Sequence, residues 1–314
     1  MSVSTIGCVR RPPAPSRRLR HAVAVAAVVT QAGIAVTGSV VRVTGSGLGC
    51  PTWPECFPGS MTPVRRDEVA LLHQWVEFGN RMLIGVVGVV ALACLLVAWL
   101  VRPRRPRLLA LAAAMPVGVA VQAVVGGITV RTGLTWWTVS AHFLISMVLV
   151  WLAVLLVRAF GEGDRPAQPL VTPLARRLLA AVVALLAVLL TAGTFVTAAG
   201  PHAGDADTPR LDVAVETLAR VHSAVLFAFI ATLVALGRTM PRTPRYWALV
   251  AVVIGQGILG FVQYFTGVPE VLVSLHVLGA ASVVVATAAL WVSARDRGPA
   301  PTPAIADPRE LAHA

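Results

Sequence analysis

Three histidines lie within long apolar segments of this sequence, and one glutamate lies at the edge of another. His142, His222 and His276 each lie near the start of a predicted span, and Glu77 lies at a similar depth near the start of another. Ionisable groups inside a membrane are costly and usually functional. Neutral imidazole ligates haem iron, and a helical bundle can hold a cofactor between facing side chains. We therefore expect the histidines to be haem ligands, with hydrogen-bonded packing as the alternative for each one alone.

Membrane-spanning helices are the elements that must position these groups. Of the 314 residues, 57% are hydrophobic and 13% are charged, whereas a soluble domain is about a quarter charged. A helix of about 20 residues crosses the ~30 Å hydrocarbon core. Eight uncharged runs suit that length: 21–41, 82–101, 108–130, 132–157, 178–199, 213–237, 246–266 and 271–293. The sequence predicts an all-α polytopic membrane protein with eight transmembrane helices.

The placement of arginine predicts the orientation of these helices. All 26 basic residues are arginine, and nineteen of them lie before the first run, after the last, or in the second, fourth and sixth connections. Arginine-rich connections stay in the cytoplasm, so we expect both termini to be cytoplasmic. The membrane is expected to be the plasma membrane. The net charge of +12 then reflects topology, and we expect no nucleic-acid partner. No A-x-A site follows the first run, so we do not expect a cleaved signal peptide.

A short stiff loop, GSGLGCPTWPECFPGS, carries Cys50 and Cys56. The predicted topology places it outside the cell, where disulfides persist. Cys8 is predicted to be cytoplasmic and Cys94 lies within a helix, so neither is an expected partner. We favour a disulfide between Cys50 and Cys56 over two free thiols. A structural zinc site is less favoured, because it needs four ligands and the loop offers two thiols. The covalent haem motif C-x-x-C-H is absent from the sequence.

The sequence repeats itself at matched spacings. Five positions of helices three and four recur in helices seven and eight: Gln122, Gly126, Thr132, Gly133 and His142 match Gln256, Gly260, Thr266, Gly267 and His276. The segments 32–37 and 192–197 also match, and Asn80 aligns with His222. The two glutamines are expected to hydrogen-bond between helices. The repeat predicts two pseudo-symmetric four-helix bundles that enter the membrane from the same side.

These features divide the chain into five parts. They are a cytoplasmic arm at 1–20, a first half at 21–157 with an outer cysteine loop at 42–76, a cytoplasmic linker at 158–177, a second half at 178–293 and a cytoplasmic tail at 294–314. The linker is predicted from its polar, proline- and glycine-rich composition.

Further polar residues cluster at the outer ends of the predicted helices. His73, Glu77 and Asn80 share one helical face if the second helix begins early enough to include them. Glu77 is then either a solvated cap or an acid that handles protons or stabilises developing positive charge. Arg81 and Arg220 either extend to the membrane surface or pair with haem propionates.

The chain resembles the haem A synthase family. The resemblance is carried by TGSVVRVTGSGLGCPTWPEC, by VEFGNRMLIG, by the helices of His142 and His276 and by GPHAGD, and it covers nearly all eight helices. It implies an enzyme that oxidises the methyl group at ring position 8 of haem O to a formyl group. The product, haem A, serves terminal oxidases, and Cys50 and Cys56 match the family's first-loop cysteine pair.

The resemblance also implies roles for individual residues. His222 and His276 match the ligands of a haem b cofactor in the second half. His142 matches the ligand of the haem O substrate in the first half, and Glu77 matches an acidic residue proposed to act in catalysis. The implied partners are a haem O synthase in the same lipid bilayer and an electron acceptor whose identity, like the oligomeric state, is left open.

Helix two departs from the family pattern. The family often has Glu-x-x-His, where this chain reads Glu77-Phe78-Gly79-Asn80. An amide is a poor haem ligand, so either His142 ligates the substrate alone or His73, two turns away, replaces the missing histidine. We favour single ligation by His142.

Two other functions compete with the enzyme. A cytochrome b-type electron carrier with two structural haems requires two complete ligand pairs, and the sequence offers one plain pair, His222 with His276. A transporter is the third interpretation. Parallel halves and the lack of an acid deep in the predicted membrane segments argue against it.

Overall fold

A computed structural model describes residues 14–66 and 68–301. Within that part of the chain, the elements are α1 Arg17–Val43, α2 Leu71–Leu100, α3 Pro106–Arg131, α4 Trp136–Gly161, β1 Gln168–Pro169, α5 Pro173–Ala199, α6 Val215–Leu236, α7 Pro244–Phe265, α8 Glu270–Ser293 and β2 Arg295–Asp296. All eight helices are long and apolar enough to cross a membrane, which confirms the predicted fold class. The expectations for Cys8, Arg10, Arg11 and Arg309 concern residues outside this part of the chain.

Successive helices run in opposite directions, so their connections lie on two faces. The first, which we call the loop face, holds residues 44–66, 68–70, 132–135, 200–214 and 266–269. Its loops touch one another: the amide of Gly47 donates to Gly204 O at 2.8 Å, and His202 Nε2 donates to Val268 O at 2.8 Å. The second, the terminal face, holds residues 101–105, 162–172, 237–243 and 294–301.

The two bundles are packed to different degrees. In the first, each helix packs along the next, and α1 closes the bundle against α4. In the second, α5 packs along α6 and α7 along α8, but α6 and α7 meet only over a short stretch. Helix α8 also packs against α1 and α4, and this contact joins the two bundles. The second bundle is therefore the more open of the two.

Local sequence defines where several helices begin at the terminal face. The side chains of Ser16, Thr172 and Thr243 cap α1, α5 and α7 by accepting a hydrogen bond from a backbone amide of the first turn. Such caps satisfy donors that have no partner inside the helix. Proline at the first helical position starts α3, α5 and α7, where its missing N–H costs no hydrogen bond.

Helix α2 begins at Leu71, well before residue 82, where the uncharged run predicted its start. The charged and polar side chains of Gln74, Glu77 and Arg81 are tolerated within the helix because the cysteine loop supplies their partners. His73, Glu77 and Asn80 therefore belong to one helix. Conversely, α4 begins at Trp136 and not at 132, because residues 132–135 form the turn from α3.

The segment expected to be a polar linker is held firmly at the terminal face. The carboxylate of Glu162, which is 3% exposed, accepts hydrogen bonds from Arg107 at 2.7 Å and Arg158 at 3.0 Å. Arg105 pairs with Asp164 at 2.7 Å, and β1 pairs with β2 in an antiparallel ribbon. These contacts fix the connection between the two bundles against α3 and the segment after α8.

Candidate functional site

His222 of α6 and His276 of α8 face each other within the second bundle. Their ring centroids are 6.5 Å apart and their planes are inclined by 58°. Both lie ~10 Å along helices that begin at the loop face. Two imidazoles that ligate one metal ion from opposite sides, at about 2 Å from each nitrogen, have centroids on the order of 6 Å apart. The two rings are therefore spaced so that both could ligate one metal ion between them.

The surroundings of the histidines favour a haem over a bare ion. No group of three or more His, Cys, Asp or Glu side chains comes together in residues 14–66 and 68–301. A bare ion at the pair would lack further protein ligands, whereas a porphyrin brings four nitrogens of its own. The Nδ1 atoms of His142 and His276 are buried without a hydrogen-bond partner in the described chain, which argues against packing through hydrogen bonds as their role.

Each of the three histidines lies against a glycine of the preceding helix. A Cβ added to that glycine would lie 3.1–3.3 Å from the imidazole Cε1 in the pairs Gly126–His142, Gly193–His222 and Gly260–His276. A larger residue would push the ring away from the helix backbone, because protein interiors leave little spare volume. The glycine and histidine of the sequence repeat thus form one unit, a notch and the ring that fills it.

The repeated glutamines hold the histidine turns in place. Nε2 of Gln122 donates to the backbone oxygen of His142 at 3.0 Å, and Nε2 of Gln256 donates to that of His276 at 2.8 Å. Gln122 also donates to the Ser146 hydroxyl at 2.5 Å. The expected hydrogen bonding between helices is confirmed, and it links each histidine-bearing turn to the helix that carries the glycine notch.

The first bundle places an amide where the second has His222. Asn80 Oδ1 accepts a hydrogen bond from the Thr37 hydroxyl at 2.7 Å. Gly33 matches Gly193 in the repeat, but a Cβ at Gly33 would meet nothing within 4 Å. The short asparagine therefore leaves open the space that an imidazole fills in the second bundle.

The predicted disulfide between Cys50 and Cys56 is present, and both cysteines are buried beside Phe57. The loop-face turns of α2 hold this cysteine loop. Gly49 lies so close to α2 that an added Cβ would be 2.2 Å from the backbone oxygen of His73. His73 Nδ1 is 2.8 Å from the Ser46 hydroxyl, so the His73 side chain contacts the loop in this conformation.

Glu77 and Arg81 form a clamp on the cysteine loop. Glu77 is 5% exposed; its Oε2 accepts the Cys50 amide at 2.7 Å. All five N–H groups of Arg81 are used, on Glu77 Oε1 and on three loop carbonyls: Cys50 O at 2.6 Å, Thr52 O at 2.8 Å and Glu55 O at 3.3 Å. Neither alternative considered for Arg81 from the sequence describes this role. The side chain of Arg220, by contrast, is exposed and makes no hydrogen bond or ion pair within the described residues.

Trp53, at the tip of the loop, reaches α3. A Cβ on Gly127 would lie 2.6 Å from the Trp53 indole, and Arg131 donates to Trp53 O at 3.3 Å. Gly127 directly follows Gly126, whose notch receives His142. The cysteine loop therefore covers the loop-face end of the first bundle.

Arg42 is a structural residue that the sequence reasoning did not single out. From the end of α1 it donates to Thr197 O at 2.8 Å and to His202 O at 2.6 Å. These carbonyls belong to the second half, so Arg42 ties the two halves together at the loop face. Its position on the arginine-poor face was the signal that could have identified it.

The glycine notches lead to a prediction. Gly193→Val and Gly260→Val are each expected to weaken haem binding at the histidine pair about tenfold or more, the range found when the orientation of a ligand is disturbed. Haem titration of the purified variants, followed in the Soret band, measures the effect. Gly33→Val is the matched control, because its side chain meets nothing. Equal affinity in Gly193→Val and Gly33→Val would remove the notch from the binding site.

Comparison with known proteins gives a consistent result. The sequence profile of the COX15-CtaA family, described as cytochrome oxidase assembly protein, matches residues 21–288. A protein of Geobacillus thermodenitrificans named heme A synthase is 31% identical over 136 residues, which are 43% of this chain and 41% of that protein. One of the same name from Lysinibacillus sphaericus is 33% identical over 145 residues, 45% of each chain. These alignments span less than half the length of each relative.

Proposed function

The chain belongs to the COX15-CtaA family, and from that premise we propose that it is a haem A synthase. It oxidises the C8 methyl group of haem O to a formyl group, a change that removes four electrons from the carbon and adds one oxygen atom. The observation that carries the proposal is the pair His222 and His276, with ring centroids 6.5 Å apart. Two relatives named heme A synthase support it.

The second bundle is proposed to hold a haem b cofactor between His222 and His276. Gly193 and Gly260 let the two rings lie close to their neighbouring helices, and Gln256 fixes the turn of His276. When bound, this haem supplies one-electron redox chemistry between the substrate and an electron acceptor. The exposed Arg220, two residues before His222, is the proposed partner of a haem propionate at the loop face.

The first bundle is proposed to take haem O, with His142 as its protein ligand. Asn80 bonds to Thr37 and His73 contacts the cysteine loop, which supports ligation by His142 alone. The open space beside Gly33 then belongs to the substrate site. Unlike a closed bis-histidine site, this one leaves room beside Asn80 for the substrate and its oxidation.

Glu77 is the proposed acidic residue of the substrate site, where a carboxylate could handle protons or stabilise positive charge. Both of its oxygens accept hydrogen bonds from Cys50 and Arg81 in this structure. Transfer of a proton between Glu77 and the substrate therefore requires the cysteine loop to move away.

We also propose the location and the direction of the substrate's arrival. The terminal face carries the clusters of arginine in the second, fourth and sixth connections, which supports a cytoplasmic terminal face in the plasma membrane. The cysteine loop then lies outside, where its disulfide is stable. Haem O is apolar over most of its surface, so its delivery by a membrane-bound haem O synthase through the bilayer fits this arrangement.

Pigment analysis tests the proposed function. The protein is co-produced with a haem O synthase in a host without its own haem A, and the extracted haems are separated and identified by mass. We expect haem A, with a hydroxylated haem O intermediate, and neither with a His276→Ala variant made at the same level. A folded, haem-loaded protein that holds two haem b per chain and forms neither product would instead support the cytochrome b-type carrier.

A further inference from the structure

The open side of the second bundle contains a groove that the proposed catalysis does not use. Between α6 and α7, towards the terminal face, lies a cavity of about 290 Å³. Its walls are apolar and include Val234 and Ile254, about half of whose surface is exposed. In a membrane these side chains face hydrocarbon, so the groove opens sideways into the bilayer.

One wall of the groove includes an aromatic residue whose position is fixed by a hydrogen bond. The Tyr246 hydroxyl donates to Leu233 O at 3.1 Å, and a Cβ on Gly237 would lie 2.1 Å from that hydroxyl. Glycine at 237 is therefore needed for the ring to reach α6. Trp247, about half exposed, lines the same groove at the depth where amphipathic aromatic rings favour the membrane interface.

Two guanidinium groups line the terminal-face end of the groove. Arg238 makes no side-chain hydrogen bond or ion pair within the described residues, and Arg242 uses only Nε, which donates to Gly237 O at 2.9 Å. The connection from 237 to 243 contains no carboxylate. The terminal-face end of an apolar, membrane-facing groove therefore carries positive charge that no residue in 14–66 or 68–301 neutralises.

The first bundle shows that this arrangement is particular to the second. The corresponding connection of the first bundle also carries arginines, but each of them pairs with a carboxylate or stacks on an aromatic ring. Arg105 pairs with Asp164 and Arg107 with Glu162, while Arg102 and Arg104 stack on Trp99. Helices α2 and α3 also pack along each other. As far as the structure describes the chain, Arg238 and Arg242 have no such carboxylate partners, and α6 and α7 lack the close packing.

We propose that the groove between α6 and α7 is a binding site for an anionic phospholipid, with an acyl chain along the apolar walls and the phosphate at Arg238 and Arg242. Basic pockets between transmembrane helices suit anionic headgroups. A free phosphate would leave the apolar walls uncovered, and a zwitterionic lipid would gain less from two cations. The occupied groove would brace α6, and with it His222, against α7.

Native mass spectrometry of the purified, delipidated protein tests this site with phosphatidylglycerol and phosphatidylcholine of identical acyl chains. We expect one phosphatidylglycerol to bind tightly and to be weakened on the order of 30-fold by the double variant Arg238→Gln/Arg242→Gln, since each cation near a membrane surface contributes about fivefold. The variant Arg102→Gln/Arg104→Gln is the matched control and is expected to retain that lipid. Val234→Trp, which fills the groove without changing charge, is expected to displace it.

The outcomes separate the proposal from a general effect of charge. Equal affinity for the two lipids, equal loss in both double variants, or unchanged binding in Val234→Trp would each overturn it. A far-ultraviolet circular dichroism spectrum and a size-exclusion profile equal to those of the unaltered protein show that each variant is folded. The test measures lipid and not haem A, so its result is independent of the proposed function.

Discussion

Replacing His276 with alanine is expected to abolish tight haem binding in the second bundle, with a loss of affinity greater than about 100-fold. The reason is that loss of an indirect partner of a metal ligand alone costs 10- to 100-fold, and His276 is proposed to be a direct ligand. His222, whose ring centroid lies 6.5 Å away, would keep only one side of the iron. Optical titration of the purified variant with haem b, read in the Soret and α bands, measures the effect.

Two further variants test whether the loss of haem binding is due to the missing iron ligand. In His276→Gly, free imidazole is expected to restore part of the six-coordinate spectrum, because it can enter the space left beside Gly260. His142→Ala is the control: it removes a histidine from an equivalent notch in the first bundle and is expected to leave the haem b spectrum unchanged. Unaltered haem b binding in His276→Ala would show that the ligand assignment is wrong.

The repeat explains why so much of this arrangement could be predicted from the sequence. Residues that must meet across two helices leave a fixed spacing when the connecting turn is short. Gln256 and His276 are 20 residues apart, with one tight turn between α7 and α8, and Gln256 makes the expected hydrogen bond between helices to the backbone oxygen of His276. The length of the apolar runs likewise predicted the eight helices, because crossing a membrane imposes a length on every span.

What the sequence could not reveal depends on contacts between distant segments. Polarity at residues 73–81 was taken to mark a helix boundary, but the side chains there are satisfied by a loop some 30 residues earlier in the chain. The charge of Arg42 was assigned to a connection, although its partners lie about 155–160 residues away. The open groove between α6 and α7 follows from differences in helix packing, which hydropathy does not record.

The clamp on the cysteine loop gives the second large effect. Arg81→Lys is expected to release the loop from α2, because an ammonium has three donors and cannot reproduce the planar fork that engages Glu77 and three carbonyls. Lysine keeps a positive charge beside Glu77, but its three N–H groups cannot replace the five that Arg81 uses. At least two hydrogen bonds to a charged group are therefore lost, each worth about 1.5–3 kcal/mol. Hydrogen exchange at the Cys50 amide, which donates to Glu77, is expected to accelerate by more than about 100-fold.

Arg131→Lys is the matched control for this change. Arg131 also donates to the cysteine loop, but through one exposed hydrogen bond of 3.3 Å to Trp53 O, so its replacement is expected to change exchange by less than about fivefold. The haem b spectrum, which reports on the other bundle, is expected to stay the same in both variants. Protection of the Cys50 amide in Arg81→Lys equal to that in the unaltered protein would contradict the clamp.

Glu77→Gln separates the clamp from a chemical role of the same carboxylate. The amide oxygen can still accept from Cys50, but the charge that pairs with Arg81 is lost, so the loop is expected to loosen less than in Arg81→Lys. If Glu77 acts only through the loop, haem A formation falls in proportion to the loss of amide protection across both variants. If the carboxylate also acts on the substrate, Glu77→Gln loses more activity than Arg81→Lys while protecting the Cys50 amide better. In the second case the variant with the greater loss of activity is the one with the better-protected amide, which is the reverse of the first case. Measuring haem A formation and amide exchange in both variants therefore distinguishes a positioning residue from a catalytic one.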